Sequence, residues 1–416
     1  MRRVTVLPGR LSGRVAAVPS KSDAHRALIA AALADGGSAV APLGESDDVR
    51  LTARALERMG LGRYENGRMI GGGAMADFPT VPCGQSGSTL RFLIPLALTK
   101  GEGARFTGEG RLMRRPLAVY ENLCAGQGVA WQLAGDTLTV RGRLRPGDFV
   151  LPGDVSSQFV TGLLFALPLL AGDSTLRFAS PLQSMPYVRM TIRTLAAFGV
   201  TVAERPGGFD IPGGQRYHPC DYAVEGDWSY AAFPLVAGAL GGPVTVGGLN
   251  RRSLQGDRAI EALLGRMGAR LTWGPDGLTA QAGGQGLRPI QADLSDIPDL
   301  GPALAVAALG ARGESRLTGA RRLAAKECDR LAAILDLARD LGGEAIAPDP
   351  DTLVIRGRGS LAGGAGRTRR DHRMAMALAV AAGLCRGPVT LDDADCVAKS
   401  APPFWAHFEQ LGGACR

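Results

Sequence analysis

The chain has 416 residues, 45% of them hydrophobic and 21% charged, with a formal net charge of +8. That length exceeds one ordinary hydrophobic core, so two domains are expected. No apolar run reaches the ~20 residues that span a bilayer, and the sparse aromatics with dispersed basic residues do not resemble a nucleic-acid surface.

A small anionic ligand accounts for the positive excess without a nucleic-acid or membrane partner. The N-terminal MRRVTVLPGRLSG has two arginines but no apolar segment after them, so it does not read as a signal peptide, and a cytoplasmic monomer is expected. Seven cysteines are scattered with no CxxC pair, and four histidines form no HxxxH or HExxH cluster. No disulfide framework or zinc site is therefore expected.

In chain order, residues 2–18 have strand character. They are followed by PSKSDAHRALIAAALADG, an almost purely apolar helix with a crowded polar start. Five more such stretches follow, so that six apolar helices begin near Ser22, Ser88, Ser157, Ser229, Asp299 and Asp371, 66 to 72 residues apart. Helices apolar nearly all round belong inside a domain. A second series of amphipathic helices closes at Gly60, Gly128, Gly199, Gly268, Gly342 and Gly412, 68 to 74 residues apart. Glycine after the last helical turn takes the left-handed conformation at low cost. After the first five of these come two-strand patterns with turn residues between them, as in RYENGRMIGG and RLTWGPDGLTAQAG.

The chain therefore reads as six copies of a unit with a buried helix, a surface helix and several strands, in an α/β fold. Three units per domain give an N-terminal domain over 20–225 and a C-terminal domain over 1–19 and 226–416. The sixth copy ends before its hairpin, and the strand-like N-terminal segment is expected to supply it. Each apolar helix starts among polar or charged residues. A helix N-terminus presents unpaired N–H groups and about half a positive charge, and several converging ends make an anion site. Ser22, Ser88, Ser157 and Ser229 also read as plain N-caps. That reading leaves the accompanying cations Lys21, Arg26, Arg91, Arg330, Arg373 and Lys399 unexplained.

The motifs PSKSDAHRAL, GQSGSTLRFL, RRP at Arg114–Pro116, GDVSSQF, SMPYVRMT, VEGDWS, DIPD, KECDRL, DHRMAMAL and AKSAPPF follow one another in this order. Together they resemble the EPSP synthase family, over essentially the whole chain from Pro19. The resemblance implies two inside-out α/β domains, each of three repeated units with buried apolar helices, joined by a hinge and closing around the substrates. It implies transfer of the enolpyruvyl group of phosphoenolpyruvate to the 5-hydroxyl of 3-phosphoshikimate, with no metal and no organic cofactor.

For 3-phosphoshikimate it implicates Lys21, Ser22, Arg26, Ser156, Ser157, Gln158, Ser184, Tyr187, Asp299 and Lys326. For phosphoenolpyruvate it implicates Lys21, Gly87, Arg115, Gln158, Arg330, Arg373 and Lys399. Phosphoenolpyruvate carries a phosphate and a carboxylate on a small skeleton, which several cations suit. Two carboxylates and a lysine divide the proton work. Asp299 is expected at the 5-hydroxyl and Glu327 at the methylene carbon, while Lys21 is either a proton donor or an electrostatic clamp. Asp48 reads either as a carboxylate supporting the site or as the N-cap of the helix after it.

Gln85, Cys328, Arg322, Ala324 and Arg370 depart from the family's usual residues, and Gln85 adds a methylene near the phosphoenolpyruvate position. The related UDP-N-acetylglucosamine enolpyruvyl transferases carry a reactive cysteine just before an RP motif. FTGEGRLMRRP has none. A catalytically dead phosphoshikimate-binding homologue is the other alternative, opposed by the presence together of Lys21, Asp299, Glu327 and Arg373.

Overall fold

The computed structural model describes residues 2–416. The chain divides into two compact units, Lys21–Val224 and the N-terminal residues through Ser20 with Glu225–Arg416. The first contains, in chain order, helices α1 (Lys21–Leu33), α2 (Asp47–Arg58), α3 (Gly87–Lys100), α4 (Ala118–Gln127), α5 (Ser157–Ala166) and α6 (Met185–Ala197). The second contains α7 (Trp228–Leu240), α8 (Ile260–Arg266), α9 (Gly301–Gly310), α10 (Arg330–Asp340), α11 (His372–Ala381) and α12 (Phe404–Gln410).

The odd-numbered helices form the interior of each unit. In α1 every residue from Asp23 to Leu33 is buried, because Ala, Leu and Ile fill all its faces. Burying each large aliphatic such as Leu28 or Ile29 contributes about 1.5–3 kcal/mol. By contrast α2 buries only Asp48, Val49, Thr52, Ala55 and Leu56, one stripe at helical spacing. The six glycines that end the second helix series all have φ between 71° and 96°, a region costly for residues with a Cβ.

Each repeat builds a small mixed sheet. In the second, Thr80–Gly84 and Gly103–Gly108 pair in parallel across the buried α3, and the hairpin Ala130–Ala134 with Thr137–Arg141 extends the sheet antiparallel after α4. The third and fifth sheets repeat this order. In the first, the leading strand comes from Tyr222–Ala223, parallel to Gly36–Ala41.

The N-terminal segment departs from the sequence expectation. It does not form a hairpin for the sixth repeat: Val4–Val6 joins that sheet antiparallel to Val389–Leu391, while Gly13–Ala16 pairs in parallel with Val244–Gly247 in the fourth. Six residues, Leu7 to Ser12 with Pro8 and Gly9 among them, separate the two strands, and the chain passes from one sheet to another instead of turning back.

The helix caps also fall elsewhere than on the serines named from sequence. They are Ser86 for α3, Ser156 for α5, Asp227 for α7 and Asp371 for α11, each accepting a backbone N–H. Ser88, Ser157 and Ser229 stand inside the first turns. The hydroxyls of Ser88 and Ser229 there meet other side chains, Gln158 and Asp257.

Corresponding strands approach the buried helices closely enough to exclude side chains. A Cβ at Gly71 would stand 2.2 Å from the Ala31 carbonyl oxygen, and one at Gly357 2.2 Å from that of Ala308. Both contacts are with backbone, which cannot swing aside. Gly357→Ala is therefore expected to cost about 1–3 kcal/mol, read as a lower urea midpoint with an unchanged m-value. An unchanged midpoint would show that the strand can retreat from α9.

Candidate active site

In the unit Lys21–Val224, the starts of the buried helices carry the polar groups. Lys21 Nζ lies 2.9 Å from Asp48 Oδ2, a pair with both side chains largely shielded from water. Asp48 is the second residue of α2 and not its cap, which is Ser46. Buried Arg26 spends three N–H donors on the protein: Nε to Thr191 Oγ1 at 2.9 Å, Nη1 to the Ser22 carbonyl at 2.5 Å and Nη2 to the Tyr187 carbonyl at 3.0 Å. Burial pulls its pKa down to about 10, against the opposing pull of Asp23. Arg26 thus braces α1 against α6. Ser184, at the start of α6, is buried and held at φ 59°, an uncommon backbone state for a residue with a side chain.

Gln158 joins two helix starts. Its Nε2 donates to Ser88 Oγ at 3.0 Å, and its Oε1 accepts from Arg91 Nη1 at 2.7 Å. The Ser156 hydroxyl accepts the Gln158 backbone N–H at 3.3 Å, and Ser157 beside it is buried. Gly87 opens α3 where two guanidiniums crowd it. A Cβ there would stand 2.7 Å from Arg115 Nη1 and 2.8 Å from Arg91 Nη1. Arg115 Nε is buried with no hydrogen-bond partner among the described residues. Two guanidiniums at a positive helix end create a local excess of positive potential, which suits an anion.

In the unit with Glu225–Arg416 the cations are held by carboxylates. Arg330, 1% exposed, spans three of them: Nη1 to Asp299 Oδ1 at 2.7 Å, Nη2 to Glu327 Oε2 at 2.6 Å and Nε to Asp371 Oδ2 at 2.7 Å. Asp299 in turn receives Lys326 Nζ at 3.2 Å and Arg373 Nη2 at 3.1 Å. Asp371 also caps α11 by accepting the Arg373 backbone N–H at 2.9 Å. Asp299 and Glu327 remain 23% and 14% exposed, so each keeps a small part of its surface toward solvent.

The electrostatics follow from this packing. Burial alone would raise the Asp299 carboxyl, but Arg373, Lys326 and Arg330 outweigh it and hold it well below the usual range. Burial lowers the Lys326 ammonium to about 8, with Asp299 opposing. Burial would also lower Arg330, yet Asp371, Glu327 and Asp299 raise it. Asp257, hydrogen-bonded by Ser229, is raised to about 6 by burial and by Asp299.

Within their own units, Lys21, Ser22, Arg26 and Tyr187 are brought together, as are Gly87, Arg115 and Gln158, and as are Asp299, Lys326, Glu327, Arg330 and Arg373. Lys399 is buried at the end of a short turn, Asp395–Lys399, packed against α11. Ser156, Ser157 and Ser184 stand at helix starts. Sequence reasoning missed Asp371 as a buried counter-ion, Arg91 as the partner of Gln158, and Asp257. The DHR motif marked Asp371 only as a helix start, and its partner lies 41 residues away. No group of three His, Cys, Asp or Glu side chains suited to a metal occurs among the described residues.

The profile of the family described as EPSP synthase (3-phosphoshikimate 1-carboxyvinyltransferase) matches residues 6–408. A 3-phosphoshikimate 1-carboxyvinyltransferase of Clostridium kluyveri is 43% identical over 420 residues, covering 99% of this chain and 98% of that protein. Its counterpart in Clostridium novyi is 40% identical over 429 residues, with 99% and 98% covered. Among solved structures, an EPSP synthase from Acinetobacter baumannii is similar with a TM-score of 0.82 at 26% identity, covering 100% of this chain and 99% of that one. The enolpyruvyl transferase NikO from Streptomyces tendae shares the fold, with a TM-score of 0.80 at 20% identity over 100% of this chain and 98% of its own. From ten ordered motifs, six repeats and a match over nearly its full length, the chain belongs to the EPSP synthase (3-phosphoshikimate 1-carboxyvinyltransferase) family.

Proposed function

We propose that this chain transfers the enolpyruvyl group of phosphoenolpyruvate to the 5-hydroxyl of 3-phosphoshikimate and releases phosphate. One observation carries the assignment of roles: a partly exposed carboxylate, Asp299, is held by Lys326, Arg330 and Arg373 beside a second, largely buried carboxylate, Glu327. Cations gathered in this way before the substrate arrives need only a short shift to meet its anionic groups.

In this reading Arg115, Arg330, Arg373 and Lys399 bind phosphoenolpyruvate, with Lys21, Gln158 and the close backbone approach at Gly87. Ser22, Arg26, Ser156, Ser157, Gln158, Ser184 and Tyr187 bind 3-phosphoshikimate, with Lys21 and Lys326. As the substrate anions draw Arg373 and Lys326 away from Asp299, its carboxylate loses partners and gains basicity toward the 5-hydroxyl. Glu327 delivers a proton to the methylene carbon of phosphoenolpyruvate, and the 5-oxygen bonds to the adjacent carbon. The methyl group of that tetrahedral intermediate then returns a proton as the C–O bond to phosphate breaks, re-forming the double bond. The cations stabilise the departing phosphate. Lys21 serves as a proton donor or as a clamp. The enzyme is read as a cytoplasmic monomer, and no described helix is long and apolar enough to cross a membrane.

The test is phosphate release from purified protein supplied with both substrates. Turnover is expected with 3-phosphoshikimate and only poorly with shikimate lacking its phosphate. No release at millimolar concentrations of both would overturn the reading. A second expectation concerns pH. Lys326 is charged below about 8 and loses its charge as pH rises through that value. Accordingly, kcat/KM should decline above about pH 8, and Lys326→Arg, always protonated, should remove that decline. An identical alkaline limb in both proteins would assign it to another group.

A further inference from the structure

Four side chains of the unit Lys21–Val224 that have no role in the reading above form one continuous chain of contacts. His25 Nδ1 lies 2.7 Å from Thr52 Oγ1, Thr52 Oγ1 lies 2.6 Å from Thr89 Oγ1, and the Thr89 hydroxyl donates to Ser86 Oγ at 2.8 Å. All four residues are buried. They belong to α1, α2, α3 and the cap of α3, so the chain crosses three helices at their starts.

The protons can run in one direction only. A hydroxyl has a single hydrogen, and that of Thr89 is spent on Ser86, so at 2.6 Å Thr89 accepts and Thr52 donates. Thr52 also lies 3.3 Å from the Asp48 carbonyl. Sending its hydrogen there would leave two lone pairs facing each other across the shorter contact. With its hydrogen committed to Thr89, Thr52 accepts from His25, which therefore carries a proton on Nδ1. The imidazole is further fixed by edge-on packing against Phe92, 6.5 Å between centroids at 90°. Ser86 also accepts the Thr89 backbone N–H at 3.2 Å, locking the turn that leads into Gly87.

We propose that His25, Thr52, Thr89 and Ser86 form a one-way hydrogen-bond chain that positions the phosphoenolpyruvate-binding groups. The chain fixes the Gln85–Gly87 turn beside Arg115. Through α2, one turn before Thr52, it also fixes the Asp48 carboxylate that holds Lys21. The four residues touch no substrate and act through Gly87 and Lys21. The inference rests on the assignment of Gly87 to phosphoenolpyruvate and of Lys21 to both substrates.

Thr52→Val keeps the side-chain shape and removes the central link, leaving the His25 N–H and a Thr89 lone pair buried without partners. The expected result is a KM for phosphoenolpyruvate raised about tenfold, with a smaller rise in the KM for 3-phosphoshikimate, which Gly87 does not touch and Lys21 does. Thr52→Ser, which keeps the hydroxyl, should restore the wild-type value. Nitrogen NMR of the wild-type protein should show His25 Nδ1 protonated. An unchanged phosphoenolpyruvate KM, an equal rise in both KM values, failure of Thr52→Ser to rescue, or an unprotonated Nδ1 would each overturn the proposal. Absence of wild-type turnover would refute the assigned reaction instead, because the nitrogen spectrum reads the chain without catalysis.

Discussion

One buried guanidinium organises the carboxylate cluster. Arg330 meets Asp299, Glu327 and Asp371 at 2.6–2.7 Å, and each of those carboxylates then orients something else. Asp299 gathers Lys326 and Arg373, Asp371 caps α11, and Glu327 keeps a small part of its surface toward solvent. Removing one partner of such a buried network costs about 3–5 kcal/mol, because the remaining charges lose compensation in a poorly solvated place. Three cations could not be packed this closely without those three carboxylates. The protein therefore holds its cations in working positions before any substrate anion arrives.

The unit Lys21–Val224 meets the same problem differently. Arg91 and Arg115 crowd the start of α3 at Gly87, where Arg91 donates to Gln158 Oε1 and to the Pro116 carbonyl. Two guanidiniums there add to the positive end of a helix, whereas around Asp299 the cations are matched by neighbouring carboxylates. The first arrangement favours capture of an anion. The second places carboxylates among cations whose grip changes their basicity, which suits proton transfer.

The architecture was legible in the sequence where backbone conformation restricts residue type. Six glycines at a regular spacing marked helix ends because φ values of 71–96° exclude most other residues. The all-apolar stretches marked buried helices for an equally direct reason. Caps were less legible: in SGST and VSSQ neighbouring serines are chemically equivalent, and only the backbone decides that Ser86 and Ser156 accept the N–H groups. The N-terminal segment was misread because strand character does not reveal a partner, and its two strands join different sheets. Motif resemblance named the cations. Their counter-ion Asp371 and the threonines of the His25 chain depend on contacts 27 to 43 residues apart in sequence, for which local pattern carries no signal.

The central claim is that Asp299 holds cations destined for the substrate and is itself needed for chemistry, not for binding. The direct measurement is the KM for phosphoenolpyruvate at saturating 3-phosphoshikimate, together with kcat, in wild type and Asp299→Asn. Removing that negative charge should release Lys326, Arg330 and Arg373, so the variant's KM for phosphoenolpyruvate should be no higher while kcat falls by orders of magnitude. A raised KM with kcat preserved would contradict the account.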